Sequence, residues 1–374
     1  MHNVSLSRTS LKNANLSYAN FRRADLSCTD LRKAVMIRIN LRGANLSICR
    51  GFNFGSNLSR ANLTEADLKN ANLSKTKLIK STLKRASLIN TNLSESNLTK
   101  SNLSGANLTN AKLIKTILRG AQLKTPKNYK FKTTLNGANL TEADLRDANL
   151  PEVNMIKTNL KSANLSKANL NNAILVQADL TRTNLRKANL TEARLNRARL
   201  SQTNLTSAKL VGADLSHANI SFSSLYFSNL RGANLDKANF TGVNLRESNM
   251  SRATLRGTNF IGSNLTKADM SHSDLREARF IGLLSHLGDN ALKTTTLREA
   301  NLSFADLRSA YLYKVDLRNA NLVGADLTHA NLTGSNLTGA NLRNAEMHNV
   351  NLRDVNLSGA ILIGARLNGA ILCD

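Results

Sequence analysis

A bulky apolar residue, usually leucine and less often phenylalanine, isoleucine or methionine, returns at every fifth position along almost the whole chain. The phrase Ala-Asn/Asp-Leu-x-x carries the period, as in Ala14-Asn15-Leu16-Ser17-Tyr18 and Ala143-Asp144-Leu145-Arg146-Asp147. Taking the bulky residue as the centre, strict register holds over residues 6–46, 58–123, 135–280 and 297–372. These runs hold 9, 14, 30 and 16 centres, and the 69 pentads account for 345 of 374 residues.

No single regular element accommodates that spacing. On an α-helix five residues advance about 500°, so successive leucines drift by roughly 140° and decorate every side. On a straight strand an odd spacing sends alternate leucines to opposite faces. The backbone must therefore bend once per pentad and return each centre to one interior. The residue two before the centre is nearly always small, as an inward position near a tight corner requires. Asn or Asp usually precedes the centre and can stabilise turns by bonding nearby backbone groups. With 19 Gly and 2 Pro, turn chemistry falls mainly to side-chain amides and hydroxyls.

Short repeats of this kind build solenoids, in which neighbouring coils bury one another's apolar edge. Four bends close a square of 20 residues, which predicts about 17 coils and a rod of roughly 80 Å at strand spacing. A buried leucine contributes ~2 kcal/mol, while ordering five backbone residues costs ~5–10 kcal/mol. One repeat cannot stand alone; stacked coils can.

The motif A(D/N)Lxx resembles that of the pentapeptide-repeat proteins, over about nine-tenths of the chain. That resemblance implies an all-β fold, a right-handed quadrilateral parallel β-helix, as a single domain over residues 1–374. For function it implies less, since family members serve as DNA gyrase inhibitors, as secreted bacterial effectors, or in roles not known.

Register breaks at 47–57, 124–134 and 281–296, where centres jump by 12, 12 and 17 residues. Because the repeat resumes at once, these are expected to be loops or bulges within one rod. The second break interleaves Lys124, Lys127, Lys130 and Lys132 with Tyr129 and Phe131 around Pro126. Lysines neutralise phosphates, while aromatics stack on bases or enter a membrane interface. The third carries Leu283, Leu284 and Leu287, a helical turn expected to cover the rod, with a partner-binding knob as the alternative.

The net charge is +26, unevenly spread. Residues 1–50 hold 9 basic and 2 acidic side chains, residues 51–134 hold 15 and 3, residues 135–296 hold 20 and 13, and residues 297–374 hold 7 and 7. Arg60, Lys80 and Lys100, spaced by 20, are expected to form a column, with Lys77 and Arg119 beside it. Cations stacked at ~5 Å repel one another unless a polyanion or counterions lie along them, which points to nucleic acid, acidic lipid or an acidic protein. The charge is also the wrong sign for the DNA mimicry that the resemblance suggests for quinolone-resistance members.

Catalytic, cofactor and metal sites are not expected. None of His2, His217, His272, His286, His329 and His348 lies at metal-ligand spacing to a cysteine or carboxylate, and no phosphate-binding glycine loop occurs. Ser271-His272-Ser273-Asp274 carries triad letters, but adjacent outward side chains on a rod enclose no pocket. Cys28, Cys49 and Cys373 are too scattered for a disulfide framework, and Cys49 is expected to point inward, which argues against a bridge to Cys28. Without an apolar leader or span, a cytoplasmic location is expected, with signal-less export as an effector the alternative.

Outward apolar residues stand out against this polar surface. Phe222, Tyr226 and Phe227 form one candidate partner-binding group; Ile261 and Ile281, one coil apart and each followed by glycine, form another. The apolar stretch from Ala360 to Leu372 suggests a homodimer through the carboxy-terminal coils, as the family resemblance also implies. The sequence thus reads as a non-enzymatic scaffold presenting a mostly basic surface to a macromolecule. Its alternatives are a nucleic-acid or anionic-surface binder and a gyrase-binding or effector-type regulator.

Overall fold

The computed structural model describes residues 4–49, 51–126, 132–282 and 294–372. The chain divides into two compact units, Met1–Asn189 and Leu190–Asp374. Each is a stack of square coils joined by parallel bridges, and the usual offset between bridged residues is 20, as in Asn57↔Lys77↔Asn97↔Ile117.

One pentad shows why the motif has its composition. The Leu58 N–H donates to the Lys77 carbonyl of the next coil (2.7 Å), and the Arg60 N–H to the Ile79 carbonyl (2.9 Å). The Asn62 N–H reaches back to the Ala34 carbonyl (2.9 Å), while the Ala61 N–H closes the turn on the Leu58 carbonyl (3.0 Å). Only the N–H after the centre has no backbone partner, and there the Asn57 Oδ1 accepts from the Ser59 N–H (3.1 Å). Asn or Asp before the centre therefore completes the backbone hydrogen bonding of each coil. Ala61 and Leu58 are buried, as the two inward positions require.

Away from the three insertions, the residue two after the centre takes a left-handed backbone, for example Arg60 (φ 60), Lys80 (φ 56) and Lys100 (φ 55). That conformation costs roughly 1 kcal/mol for a non-glycine residue, and the inter-coil hydrogen bond of the same residue offsets it. Each non-glycine corner thus projects its side chain outward, whatever its type.

In unit 1 the bridges define four faces. Face 1 has centres Leu11, Leu31, Leu58, Leu78, Leu98, Leu118 and Leu145; face 2 follows with Leu16, Met36, Leu63, Leu83, Leu103, Leu123 and Leu150. Face 3 has Phe21, Leu41, Leu68, Leu88, Leu108, Leu135 and Met155; face 4 has Leu6, Leu26, Leu46, Leu73, Leu93, Leu113 and Leu140.

The register breaks leave this order intact. Bridge offsets rise from 20 to 27 across the first and second breaks, as in Asp30↔Asn57 and Asn107↔Thr134, and to 32 across the third, as in Asn264↔Thr296. Each insertion ends on a buried hydroxyl residue: Ser56, Thr133 or Thr295. Thr133 Oγ1 accepts from the Gly105 N–H (2.7 Å) and donates to the Lys124 carbonyl (3.0 Å). Thr295 Oγ1 makes the equivalent pair with the Gly262 N–H (2.8 Å) and the Ile281 carbonyl (3.0 Å). Gly282, at the start of the third insertion, passes so close to Lys314 that a Cβ there would meet its carbonyl oxygen at 2.0 Å. The expected covering turn at Leu283, Leu284 and Leu287 lies outside the described residues.

The cysteine expectation is overturned. Cys28 and Cys49 form a disulfide, with Cα atoms 5.8 Å apart. Counting pentads onward from Leu46 gives Cys49 an inward phase, but the first insertion has already left the coil, so Cys49 turns back to the corner residue Cys28. Bridges of this kind persist in oxidising surroundings and are reduced in most cytosols. Non-reduced protein is expected to leave Cys28 and Cys49 unlabelled by a thiol reagent and to expose both after dithiothreitol. Labelling of both sulfurs before reduction, read by peptide mass, would count against the bridge.

Candidate polyanion interface

The four corner columns of unit 1 differ sharply in charge. After face 2, Arg38 and Arg85 converge on Glu65 (2.5 Å each), and the Arg38 hydrogen bond holds the Glu65 carboxyl below the usual range. After face 4, Lys75 faces Glu95 (3.7 Å) and Lys115 faces Glu142 (3.6 Å). After face 3 the corner residues run from Arg23 through Gly43, Asn70, Asn90, Asn110 and Gly137 to Lys157, neutral between the two cations, with an amide bond from Asn90 to Asn70 (3.3 Å). After face 1 they are Lys33, Arg60, Lys80 and Lys100, all exposed, and none makes an ion pair among the described residues. Gly120 and Asp147 follow in the same column.

The sequence expectation of an Arg60, Lys80 and Lys100 column matches this geometry, and Lys33 extends it. Its N–H donates to the Ser59 carbonyl (3.0 Å), which sets it one coil from Arg60. It escapes a search at spacing 20 because the first insertion lengthens that coil to 27 residues; allowing for the break recovers it.

Lys77 and Arg119 share face 1 with the column. Lys77 is exposed and its Nζ lies 5.4 Å from the centre of the Phe54 ring, a cation–π contact with the first insertion. Arg119 is exposed beside the Asp144–Arg146 pair (2.5 Å) and, after the Arg146 hydrogen bond, contributes to lowering the Asp144 carboxyl. Of the second break, Lys124 and Lys132 are exposed. Lys127, Tyr129, Lys130 and Phe131 lie outside the described residues.

Among the apolar candidates, Phe222 and Phe227 are exposed at consecutive corners, and Tyr226 packs edge-on to Phe227 with ring centres 4.5 Å apart. Ile261 and Ile281 sit one coil apart but are half-buried, so they offer little free surface.

Unit 2 handles its cations differently. Asp274 accepts from Arg256 and Arg276, Arg276 reaches Asp306 (3.4 Å), and Arg308 joins Asp306 (2.7 Å) to Asp326 (3.6 Å). Hydrogen bonding from Arg276 leads in lowering the Asp274 carboxyl to about 2, against the opposing effect of its burial. The arginines stay charged throughout, so the carboxylate is the group that titrates. Because its folded pKa lies below the unfolded value near 4, the stabilisation is present above pH 4 and is lost as pH falls through 2. For this mostly buried carboxylate it amounts to no more than about 2 kcal/mol. Asp274→Asn is expected to remove most of the difference in unfolding free energy between pH 5 and pH 2 that this site contributes; equal acid sensitivity in the variant would refute the assignment.

The family model for pentapeptide repeats (8 copies) matches residues 5–47, 56–94, 91–124, 132–166, 163–202, 183–221, 198–242, 223–260, 251–282, 295–334, 320–359 and 335–374. Among solved structures, a trypsin-treated form of QnrB1, a plasmid-mediated fluoroquinolone resistance protein, is similar at 20% identity, covering 48% of this chain and 88% of that one with a TM-score of 0.37. HetL, a pentapeptide repeat protein involved in heterocyst differentiation regulation in the cyanobacterium Nostoc sp. strain PCC 7120, is similar at 29% identity over 71% of this chain and 89% of its own, with a TM-score of 0.23. A search of curated proteins finds no match. Membership rests on the repeat match, which spans nearly the whole sequence, together with the square parallel coils that the repeat builds: the chain belongs to the pentapeptide-repeat family, whose fold is the right-handed quadrilateral β-helix.

Proposed function

We propose that this pentapeptide-repeat protein is a non-enzymatic scaffold whose first unit holds a polyanion along the corner column Lys33, Arg60, Lys80 and Lys100. The observation that carries the reading is the contrast among corners over these coils: the column after face 3 is neutral from Gly43 to Gly137, those after faces 2 and 4 set carboxylates between their cations, and the column after face 1 holds four cations in succession from Lys33 to Lys100. Four like charges one coil (~4.8 Å) apart repel, and a rod of phosphates relieves that repulsion while releasing its own counterions. Nucleic acid is the favoured partner, with an anionic lipid surface as the competing one. Binding of labelled duplex DNA should weaken steeply and linearly in log–log form as salt rises. A salt-independent affinity, or preference for anionic vesicles over DNA at equal phosphate, would defeat this choice of partner.

The exposed Phe222 and the Tyr226–Phe227 pair favour a second reading, a regulator engaging one protein through unit 2, of the gyrase-binding or effector kind. Supercoiling assays separate inhibition that follows enzyme concentration from coating that follows DNA concentration.

Self-association through the carboxy-terminal coils belongs to the same proposal. The inward residues Leu357, Leu362 and Leu367 are only half-buried, while Ile363, Ile371 and Leu372 are exposed. A second copy stacked there would bury them. Light scattering is expected to give a dimer at tens of micromolar, and Leu362→Asp a monomer; a monomeric wild type would sink the idea. No helix among the described residues is long and apolar enough to cross a membrane. A cytoplasmic location is our reading of the chain, in which case the Cys28–Cys49 pair would stand reduced.

A further inference from the structure

Beside the cationic corner, separated from it by face 2, the described ends of the second insertion, residues 124–126 and 132–134, border face 3. Pro126 lies against Gly105, where an added Cβ would come within 3.4 Å of the proline Cγ, and Thr133 fixes the return of the chain through its bonds to Gly105 and Lys124. Between Gly105 and Lys132 lies a cleft of about 550 Å³. Its charged walls are Lys69, Arg85 and Lys132; Ile89 supplies an apolar wall; Ser87 and Asn154 line it between them. Neither the column of cations nor the fold explains two of its features.

The first is polar. Ser87 Oγ and Asn154 Oδ1 are buried and have no hydrogen-bond partner among the described residues. Orphaned polar atoms are costly, roughly 1–3 kcal/mol each, and in a native protein they commonly mark a ligand or an ordered water. Here both line the same cleft. An Oγ can donate or accept, whereas the Asn154 Oδ1 as placed asks for a donor. The second feature is electrostatic. Glu65 is shared between Arg38 and Arg85, and Asp67 is occupied in accepting from the Lys69 N–H (3.1 Å). Four cations therefore stand against two carboxylates, leaving a positive surplus at the wall.

We infer that this cleft is a binding site for single-stranded nucleic acid, in which the phosphate lies against Lys69, Arg85 and Lys132 while a sugar or base enters to meet Ser87, Asn154 and Ile89. The inference rests on the proposed polyanion function and narrows it to a class of strand. The cleft volume falls within the range of small-ligand sites and suits a nucleoside, whereas an acidic side chain would leave it largely empty. A phosphodiester strand offers anionic oxygens and hydrogen-bond donors together, which matches both features. A duplex keeps its bases paired and can reach only the rim, and a flat bilayer surface cannot enter a recess. Base recognition by single strands, with the backbone tracked by cations, is the general mode for such sites.

The test uses the full chain and fluorescence anisotropy of labelled RNA and DNA strands of about 15 nucleotides, with the matching duplex in parallel. Two cleft variants are compared. Lys69→Gln with Lys132→Gln removes charge. Ser87→Ile fills the cleft with a side chain the fold accepts at that pentad position, as Ile117 and Ile174 show. Each is expected to lower single-strand affinity by about tenfold, or ~1.4 kcal/mol, and to leave duplex affinity within about twofold. A separate variant of the corner column should weaken single strand and duplex alike. Single-strand affinity unchanged in both cleft variants overturns the site, as does displacement of the strand by polyglutamate at equal charge. If the corner variant loses affinity while the cleft variants do not, only this inference fails; if the corner variant binds as wild type, the proposed function itself fails. A difference between RNA and DNA affinity that Ser87→Ile abolishes would place the ribose 2′-hydroxyl in the cleft; one that persists would place it elsewhere and refute the seated nucleoside.

Discussion

Glutamine at Lys33, Arg60, Lys80 and Lys100 together is expected to lower affinity for duplex DNA by about a hundredfold at ~50 mM salt and to flatten the log–log salt slope by about 3 to 4. Each lysine or arginine that neutralises a phosphate releases about one counterion, so four such contacts set the size of the change in slope. The substitution is mild for the fold, because these corners need only a residue that tolerates a left-handed backbone and reaches into water. Glutamine already occupies that corner at Gln177 (φ 56) and Gln202 (φ 59). Circular dichroism and the urea midpoint should therefore remain near wild type. The control is Lys75→Gln with Lys115→Gln, which removes cations already matched by Glu95 and Glu142; it should cost less than about threefold. Wild-type affinity and slope in the quadruple variant would show that the column is only a solvated surface.

The parts of this molecule that follow the period of five were legible in advance, and the parts that interrupt it were not. Asn57 could be assigned a turn role because its side chain bonds an N–H two residues away, a local event that any sequence window contains. Ala61 and Leu58 could be placed inside because the pentad phase alone decides direction. Lys33 was hidden by a single insertion that changes one coil from 20 to 27 residues while leaving the four faces in order. The same insertion misled the reading of Cys49, whose extrapolated phase no longer applied once the chain had left the corner. Charge was legible as composition but not as pairing. Nothing in the spacing of Arg38, Glu65 and Arg85 distinguishes them from Lys33, Arg60 and Lys80 until coils are stacked and one carboxylate is found between two guanidiniums. The cleft over face 3 lay beyond any periodic argument, since Lys132 reaches its wall only through an insertion whose return is anchored at Thr133.

Truncating the centre of the aromatic stack is expected to have the largest effect on stability. Phe240, Phe260 and Phe280 are fully buried on successive coils of unit 2, with ring centres 5.4 Å and 4.8 Å apart. Phe260→Ala should destabilise the unit by about 3–5 kcal/mol, whereas Phe260→Leu should cost about 1 kcal/mol, since leucine is the residue the rest of the axis uses. The upper part of the alanine range applies because the void cannot close. The Phe240 N–H donates to the Asn259 carbonyl (2.7 Å) and the Phe260 N–H to the Arg279 carbonyl (2.8 Å), so coil spacing is set by the backbone and neighbouring rings cannot slide together. The loss should also reach the third insertion, whose anchor Thr295 bonds the Gly262 N–H two residues from the substituted ring. Urea unfolding followed by circular dichroism measures the cost, and amide exchange at Gly262 reports whether the anchor loosens with it. A penalty under about 1 kcal/mol for the alanine variant would mean that the axis repacks freely, and the rigid inter-coil spacing on which every surface column depends would have to be given up.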